Sequence, residues 1–244
     1  MTDKTVTIII DGREIQAKED QTILQAAETA GIYIPRLCYH PDLPPGGHCR
    51  VCTVKVNGKP AASCRHPVSE GLVVENDTEE MNEHRRTIIE FLFVEGNHFC
   101  PSCEASGRCE LQAMGYRLGM LAPTLPYLNM NRPLDASHKD IYVDRDRCIL
   151  CGRCARASKN VDGKSVFGFE GRGIHKKISI DAAHGLAETN LVRSDKAARI
   201  CPTGCLTVKR EGYRTPVGTR SYDHAPIGAD VESREMEQEG REDE

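Results

Sequence analysis

The sequence contains no tryptophan, and aromatic residues make up only 5% of its 244 residues. It also has no stretch that approaches the roughly 20 apolar residues needed to span a bilayer. Its first eleven residues lack the basic segment, the apolar core and the cleavage site of a secretory signal. We therefore expect a soluble cytoplasmic protein, in a compartment where thiols stay reduced.

The motifs of a nucleotide-binding enzyme are missing as well. No G-x-G-x-x-G follows a predicted strand and no G-x-x-x-x-G-K-[ST] occurs, so no site for NAD or flavin is visible. No Ser/His/Asp arrangement can be argued either. The net charge of −4 is close to neutral for this length and gives no support for binding to nucleic acid. We expect no catalytic residue on this chain.

Cysteine, in contrast, is abundant, with twelve residues in three separated groups. The groups are Cys38, Cys49, Cys52 and Cys64; then Cys100, Cys103 and Cys109; then Cys148, Cys151 and Cys154, followed much later by Cys201 and Cys205. Clustered cysteines in a reducing compartment are more often metal ligands than disulfides. Metal binding can also stabilise small domains that have few aromatic residues in their cores. The spacing within each group indicates an iron–sulfur site.

The first group supplies four thiolates, which is the number that a [2Fe–2S] cluster needs. Ten, two and eleven residues separate its successive cysteines. The loop contains Pro44-Pro45-Gly46-Gly47, and glycine allows backbone N–H groups to approach the sulfides closely. Four cysteines that include one Cys-x-x-Cys pair can also bind zinc, so a zinc site remains an alternative for this group.

The third group is the most specific, because two residues separate each of its first three cysteines. Such a loop can hold three corners of a [4Fe–4S] cubane, and Cys201, which precedes Pro202, has the form of the remote fourth ligand. Ser158 stands where a two-cluster ferredoxin would carry a further cysteine, so we expect one cluster. Cys205 is left over. We interpret it as a small residue beside the cluster, although it could compete with Cys201.

The second group has only three cysteines, in the pattern Cys-x2-Cys-x5-Cys. A [4Fe–4S] cubane needs a fourth ligand, and His98, two residues before Cys100, is the nearest candidate. A neutral imidazole in place of a thiolate would make the cluster less negative and shift its potential. The alternative is a cluster on three cysteines with His98 merely nearby.

The order of predicted elements indicates an α+β protein with three small domains. Residues 1–77 contain two hairpins, with turns at Asp11-Gly12 and Asn57-Gly58, and a helix between them that begins after Thr22. Hairpin, helix and cysteine loop are typical of a β-grasp [2Fe–2S] ferredoxin domain.

The remaining chain divides into two further domains and a tail. Residues 78–137 contain predicted helices at 81–94 and 110–118 and form a small, mostly helical His/Cys3 [4Fe–4S] domain with a linker. Residues 138–215 contain short predicted strands and form a bacterial-ferredoxin-like [4Fe–4S] domain; the strands are at 141–143, 178–180 and 206–208. Residues 216–244 are predicted to be an acidic, flexible tail.

Several segments together resemble a known family. They are Leu37-Cys38-Tyr39 with Cys49-Arg50-Val51-Cys52, Glu95-Gly96-Asn97-His98-Phe99-Cys100-Pro101-Ser102-Cys103, Gly107-Arg108-Cys109-Glu110-Leu111-Gln112 and Asp146-Arg147-Cys148. They resemble the small diaphorase (gamma) subunit of NAD-reducing [NiFe] hydrogenases, which is similar to the N-terminal iron–sulfur region of the complex I large subunit. The resemblance covers about residues 4–222.

This resemblance implies one [2Fe–2S] cluster and two [4Fe–4S] clusters. The implied ligands are Cys38, Cys49, Cys52 and Cys64 for the first, His98, Cys100, Cys103 and Cys109 for the second, and Cys148, Cys151, Cys154 and Cys201 for the third. Complex I-type sequences place three residues between the histidine and the first cysteine. Here only Phe99 intervenes, which is similar to the hydrogenase branch.

The resemblance also implies a function and partners. The family member relays electrons between a flavin-bearing NAD(H) subunit and the small and large subunits of a [NiFe] hydrogenase. Because this chain ends soon after the third group, we expect it to pass electrons to a separate polypeptide. The alternatives are the equivalent subunit of an NAD-dependent formate dehydrogenase or of an electron-bifurcating hydrogenase, and, from another class, a zinc-stabilised scaffold.

Overall fold

The structure is a computed structural model, and it describes residues 4–128 and 130–234. The strands are β1 (Thr5–Ile10), β2 (Arg13–Lys18), β3 (Thr53–Val56), β4 (Lys59–Ala62), β5 (Val73–Glu75), β6 (Leu134–Asp135), β7 (Ile141–Asp144), β8 (Phe167–Glu170), β9 (Lys177–Ile180) and β10 (Leu206–Val208). The helices are α1 (Ile23–Thr29), α2 (Glu79–Glu95), α3 (Glu110–Arg117), α4 (Arg153–Asn160) and α5 (Lys196–Arg199), and residues 229–234 are also helical. The predicted α+β class is confirmed.

The first part of the fold is a five-stranded sheet in the order β2-β1-β5-β3-β4. Both predicted hairpins are present, and Asp11 and Gly12 at the first turn have φ of 50° and 84°, as a two-residue type I′ turn requires. α1 begins after Thr22, which forms a reciprocal capping box with Gln25. β5 is an addition to the predicted elements, and it pairs in parallel with β1 and antiparallel with β3.

The second part of the fold is built on the two predicted helices, α2 and α3. The Thr78 hydroxyl caps α2 by accepting a hydrogen bond from the Met81 N–H. Ile89 and Phe93 of α2 are buried in the same apolar core as Leu111 and Met114 of α3. Within the described ranges, no helix is both long and apolar enough to span a membrane.

The third part contains the three-stranded sheet β10-β7-β6 and the two-stranded ribbon β8-β9. The three predicted strands appear as β7, β9 and β10, whereas β6, β8, α4 and α5 are additions. α4 and α5 pack against each other and on the same core as β7, through Ala157, Ala197 and Ile141. α4 includes Cys154 of the third group, so this packing fixes the cysteine loop on the sheet.

The segment after residue 215 differs from the predicted flexible tail. Ile227 and Val231 are 8% and 1% exposed and belong to the core shared with α2 and α3. Arg117 of α3 forms an ion pair with Glu232 and lies over the Tyr33 ring, 4.6 Å from its centroid. The flexible tail was predicted from the average composition of this segment, which is polar. Two apolar residues at helical spacing change that average little, although they are enough to form this packing. The remainder of the predicted tail, residues 235–244, lies outside the described residues.

We predict that Val231→Asp destabilises the chain by about 2–4 kcal/mol, because it buries a charge without a partner. The midpoint of thermal unfolding, followed by circular dichroism on cluster-loaded protein, measures this change. Ser233→Asp is the matched control, since residue 233 is exposed on the same short helix. Equal midpoints for the two variants would show that Val231 does not contribute to the core.

Candidate metal centres

The first group of cysteines comes together between α1 and the end of β4. Cys38, Cys52 and Cys64 are buried and Cys49 is half-buried. The Cys38 N–H donates to Cys49 Sγ at 3.4 Å, and thiol–thiol hydrogen bonds join Cys38 to Cys49 and Cys64 and join Cys52 to Cys64. The structure therefore brings all four predicted ligands into one site.

Backbone N–H groups surround the first site, as the glycine-rich loop predicts. The N–H groups of His48 and Cys49 lie against Cys38 Sγ, and the Val51 N–H lies against Cys49 Sγ. Gly47 has a positive φ of 71°, which turns the loop back toward the cysteines. Donors in these positions stabilise thiolates and the sulfides of a bound cluster.

The second group lines a small cavity at the end of α2. Its walls include His98, Cys100, Cys103 and Cys109, together with Phe93 and Arg147. Cys100 begins a turn of 3-10 helix, and Cys109 is the N-terminal cap of α3. The four predicted ligands thus come from three consecutive local structures and face one cavity.

His98 has the chemistry of a metal ligand in this cavity. The residue is partly exposed, but its Nε2 atom is buried and has no hydrogen-bond partner within the described residues. Its ring lies edge-on to Phe93, 5.4 Å between centroids, and a hydrogen bond with the Leu92 backbone occupies the other side of the ring. Burial lowers the pKa of His98 to about 4, so the imidazole is neutral at pH 7. A neutral ring with a free, buried Nε2 fits a metal ligand.

Five thiols, one more than a cubane requires, line a third small cavity. They are Cys148, Cys151, Cys154, Cys201 and Cys205. The Cys205 thiol forms hydrogen bonds with both Cys148 and Cys201. Ser158, in contrast, is buried away from the cavity wall, where its hydroxyl accepts a hydrogen bond from the Val166 N–H.

Hydrogen bonding distinguishes Cys201 from Cys205. The pKa of the Cys201 thiol is lowered to about 6, first by its hydrogen bond with Cys205 and then by the Thr203 hydroxyl, which lies 3.5 Å from Sγ. The backbone N–H groups of Leu206 and Thr203 also lie against Cys201 Sγ. Since the thiolate is the form that binds iron, the surroundings favour Cys201 as the ligand.

The donor arrangement differs from that of a mononuclear zinc site. Zinc needs four donors around one ion, at about 2.0–2.3 Å. Over residues 4–128 and 130–234, no group of three or more His, Cys, Asp or Glu side chains is placed to hold a single metal ion. An iron–sulfur cluster, in contrast, distributes its protein ligands over several irons.

Arginine side chains connect the three sites. Arg156 of α4 donates to the carbonyls of Cys38 at 2.5 Å and Pro44 at 2.6 Å, and its Nη2 is 3.4 Å from the carbonyl of Cys151. Arg147 lies with Nη1 3.7 Å from Cys103 Sγ, immediately before Cys148. The third site is therefore in contact with the first through Arg156 and with the second through Arg147.

Close packing also joins the second and third sites. A Cβ at Gly204 would lie 2.9 Å from Cys103 Sγ, so only glycine allows this approach. Arg153 of α4 forms a bidentate pair with Glu110 of α3, at 2.5 and 2.6 Å. The Glu110 N–H also donates to the Pro202 carbonyl at 2.8 Å.

Comparison with known proteins gives the family. Residues 3–79 match the 2Fe-2S iron-sulfur cluster binding domain, residues 85–123 the NADH-ubiquinone oxidoreductase-G iron-sulfur binding region, and residues 141–208 the 4Fe-4S single cluster domain. The chain is 42% identical over 228 residues to the NAD-reducing hydrogenase HoxS subunit gamma of Cupriavidus necator, which covers 92% of this chain and 96% of that protein. The chain belongs to the HoxS gamma-subunit family.

Two further relatives agree with membership in the HoxS gamma-subunit family. The structure has a TM-score of 0.89 and 46% identity to a chain in the crystal structure of an NAD+-reducing [NiFe]-hydrogenase in the H2-reduced state, with 92% of this chain and 96% of that chain covered. The mitochondrial NADH-ubiquinone oxidoreductase 78 kDa subunit of Candida albicans is 34% identical over 213 residues, but this chain covers only 29% of it. The predicted family and the predicted order of domain types are confirmed, whereas the ligand sets and domain boundaries stay predictions.

We predict that His98→Ala alters or removes only the second cluster, because it deletes the free Nε2 that faces the cavity. EPR spectra of the reduced, anaerobically purified chain measure this effect. His66→Ala is the control, since His66 is likewise two residues from a predicted ligand, Cys64, but its Nδ1 is bonded to the Pro67 carbonyl at 2.8 Å. Unchanged signals from all clusters in His98→Ala would reject His98 as a ligand.

Cys201 and Cys205 can be separated by a matched pair of variants in the same cavity. We expect Cys201→Ser to lose or convert the third cluster and Cys205→Ala to keep it, because the Thr203 hydroxyl and two backbone N–H groups lie against Cys201 Sγ, where they stabilise a thiolate. Iron content and EPR report the outcome. Loss of the third cluster in Cys205→Ala, with retention in Cys201→Ser, would reverse the assignment.

Proposed function

We propose that this chain relays electrons in an NAD-reducing [NiFe] hydrogenase, as the gamma subunit of that complex. The observation that carries the proposal is the arrangement of three separate thiol groups, each in its own site and joined by direct contacts through the third. Matches to three iron–sulfur families in the same order support it. The near-complete mutual coverage with the HoxS gamma subunit favours a hydrogenase over a formate dehydrogenase, and a relay over a zinc-stabilised scaffold.

The residues that would hold the clusters are those that the three sites bring together. Cys38, Cys49, Cys52 and Cys64 would hold a [2Fe–2S] cluster, His98, Cys100, Cys103 and Cys109 a [4Fe–4S] cluster, and Cys148, Cys151, Cys154 and Cys201 a second [4Fe–4S] cluster. Bound clusters of these types exchange single electrons. The buried Nε2 of His98 and the backbone donors around Cys38 are the features of this chain that fit them.

The protein's own contribution is to orient the ligands and to compensate their charge. Hydrogen bonds hold the thiols in place, and guanidinium groups lie beside or between the loops. Arg147 Nη1 lies beside both Cys103 Sγ and the Glu104 carboxylate, the latter at 3.1 Å, and its Nε pairs with Asp144 at 2.9 Å. These contacts fix one cysteine loop against the next.

The partners of this chain would be a flavin-bearing NAD(H)-oxidoreductase subunit and the small and large subunits of a [NiFe] hydrogenase, in the cytoplasm. The related hydrogenase is an NAD-reducing [NiFe] enzyme. This chain would stand between the site that uses NAD and the site that uses hydrogen.

Affinity purification of the tagged full chain under anaerobic conditions tests this function. We expect a flavin-containing chain and nickel-containing chains to co-purify, and hydrogen-dependent reduction of NAD by the complex. The Cys201→Ser complex should keep its partners and lose most of this activity, because its relay is interrupted. Co-purification of molybdenum without nickel, or full activity in the variant, would contradict the proposal.

A further inference from the structure

A fully buried arginine lies outside all three cysteine loops. Arg85 belongs to α2 and is 1% exposed. Arg85 belongs to the second predicted domain, yet its guanidinium group lies within the first predicted domain. Its neighbour on the helix, Arg86, is only half-buried and donates to the Leu118 carbonyl at 3.0 Å. The two arginines therefore face different surroundings.

The guanidinium of Arg85 has five N–H donors, and each of them finds an acceptor. Nε donates to the Val51 carbonyl at 3.3 Å, and Nη2 donates to the Thr53 carbonyl at 3.1 Å. Nη1 donates to the Asn76 carbonyl at 2.9 Å and to Asn82 Oδ1 at 3.0 Å, and Nη2 also donates to Asn76 Oδ1 at 2.7 Å. All five acceptors are neutral oxygens.

A buried cation usually has an anionic partner in contact, because desolvation of an unpaired charge is unfavourable. Among the described residues, no carboxylate hydrogen-bonds to Arg85. Asp77 and Asp11 act on it electrostatically, but both are exposed, so solvent screens them. Burial lowers the pKa of Arg85 to about 10, which leaves the group charged at neutral pH. The positive charge is thus retained inside the protein.

The position of Arg85 indicates what its charge compensates. The carbonyls of Val51 and Thr53 belong to the two residues that flank Cys52, a predicted ligand of the first cluster. Cys52 is 1% exposed, and its thiolate also acts electrostatically on Arg85. A [2Fe–2S] core on four thiolates has a net negative charge, and its reduction adds a further negative charge.

We propose that Arg85 sets the reduction potential of the first cluster by placing an unpaired, buried positive charge behind Cys52. The inference rests on the proposed [2Fe–2S] site at Cys38, Cys49, Cys52 and Cys64. The charge stabilises the reduced cluster more than the oxidised one, so it raises the potential. Arg85 is a positioning residue that acts through the ligand loop. A helix of the second predicted domain thereby influences the reduction potential of the cluster in the first predicted domain.

Two substitutions remove the effective charge in different ways. Arg85→Gln deletes the guanidinium. Asn76→Asp leaves Arg85 in place but puts a carboxylate at the position of the 2.7 Å contact with Nη2, which neutralises the charge locally. For each variant we expect at least a tenfold decrease in the equilibrium constant for one-electron reduction of the first cluster, which corresponds to 59 mV. The two [4Fe–4S] potentials should not move.

Two further variants serve as controls. Arg85→Lys keeps a positive charge and should restore most of the wild-type potential. Arg86→Gln removes a charge from the adjacent position of the same helix and should leave the potential unchanged. A merely structural role would give a different pattern, because Arg85→Lys loses most of the hydrogen bonds of the guanidinium and would then shift the potential as far as Arg85→Gln does.

The measurement is a redox titration of the anaerobically purified full chain, followed by EPR at a temperature where only the [2Fe–2S] signal persists. The wild-type spectrum tests the proposed cluster first, and absence of that signal would overturn both the cluster and the role of Arg85. With the signal present, an unshifted potential in Arg85→Gln and Asn76→Asp would overturn the role of Arg85 alone. Loss of the first cluster from both variants would also overturn it, because that result assigns Arg85 to folding.

Discussion

Compensation of negative charge in a water-poor interior is the constraint on which this structure depends. Burial raises the pKa of the Cys109 thiol to about 12 and raises those of Cys151 and Cys154 above their ordinary value. Thiols in such surroundings do not ionise readily at neutral pH, yet iron binds the thiolate. The metal supplies most of the positive charge when it binds, and the remainder must come from the protein.

Guanidinium groups supply that remainder and at the same time hold the parts of the chain together. Arg156 of α4 binds the Cys38 carbonyl, Arg147 approaches Cys103 Sγ, and Arg85 of α2 binds the carbonyls on both sides of Cys52. Each of these contacts joins two of the predicted domains. The same contacts therefore determine both the packing between the predicted domains and the electrostatics of the cysteine sites. A substitution that breaks one of these contacts affects both.

Local signals explain which features could be predicted from the sequence. The hairpins at Asp11-Gly12 and Asn57-Gly58 have turn residues that encode their own geometry, and α2 and α3 carry apolar residues at helical spacing. The ligand groups are mostly local too, since short spacing places three thiols on one loop. These features could be assigned before the structure was known.

Features that depend on contacts between residues far apart in the sequence could not be predicted from the sequence. β5 has three residues and forms only by pairing with β1 and β3. Arg85 contacts carbonyls 32 and 34 residues away, so nothing near it in the sequence marks its role. The hydrogen bond of Cys205 with Cys148 likewise joins segments far apart in the sequence, which the pairing of β10 with β7 brings together.

Mössbauer spectroscopy of the iron-enriched, anaerobically purified full chain, together with its sulfide content, tests the central claim most directly. The account predicts about ten irons and an equal amount of sulfide per chain, with about one fifth of the iron in a [2Fe–2S] environment and the rest in [4Fe–4S] environments. Zinc without sulfide, or iron confined to two clusters, would contradict it.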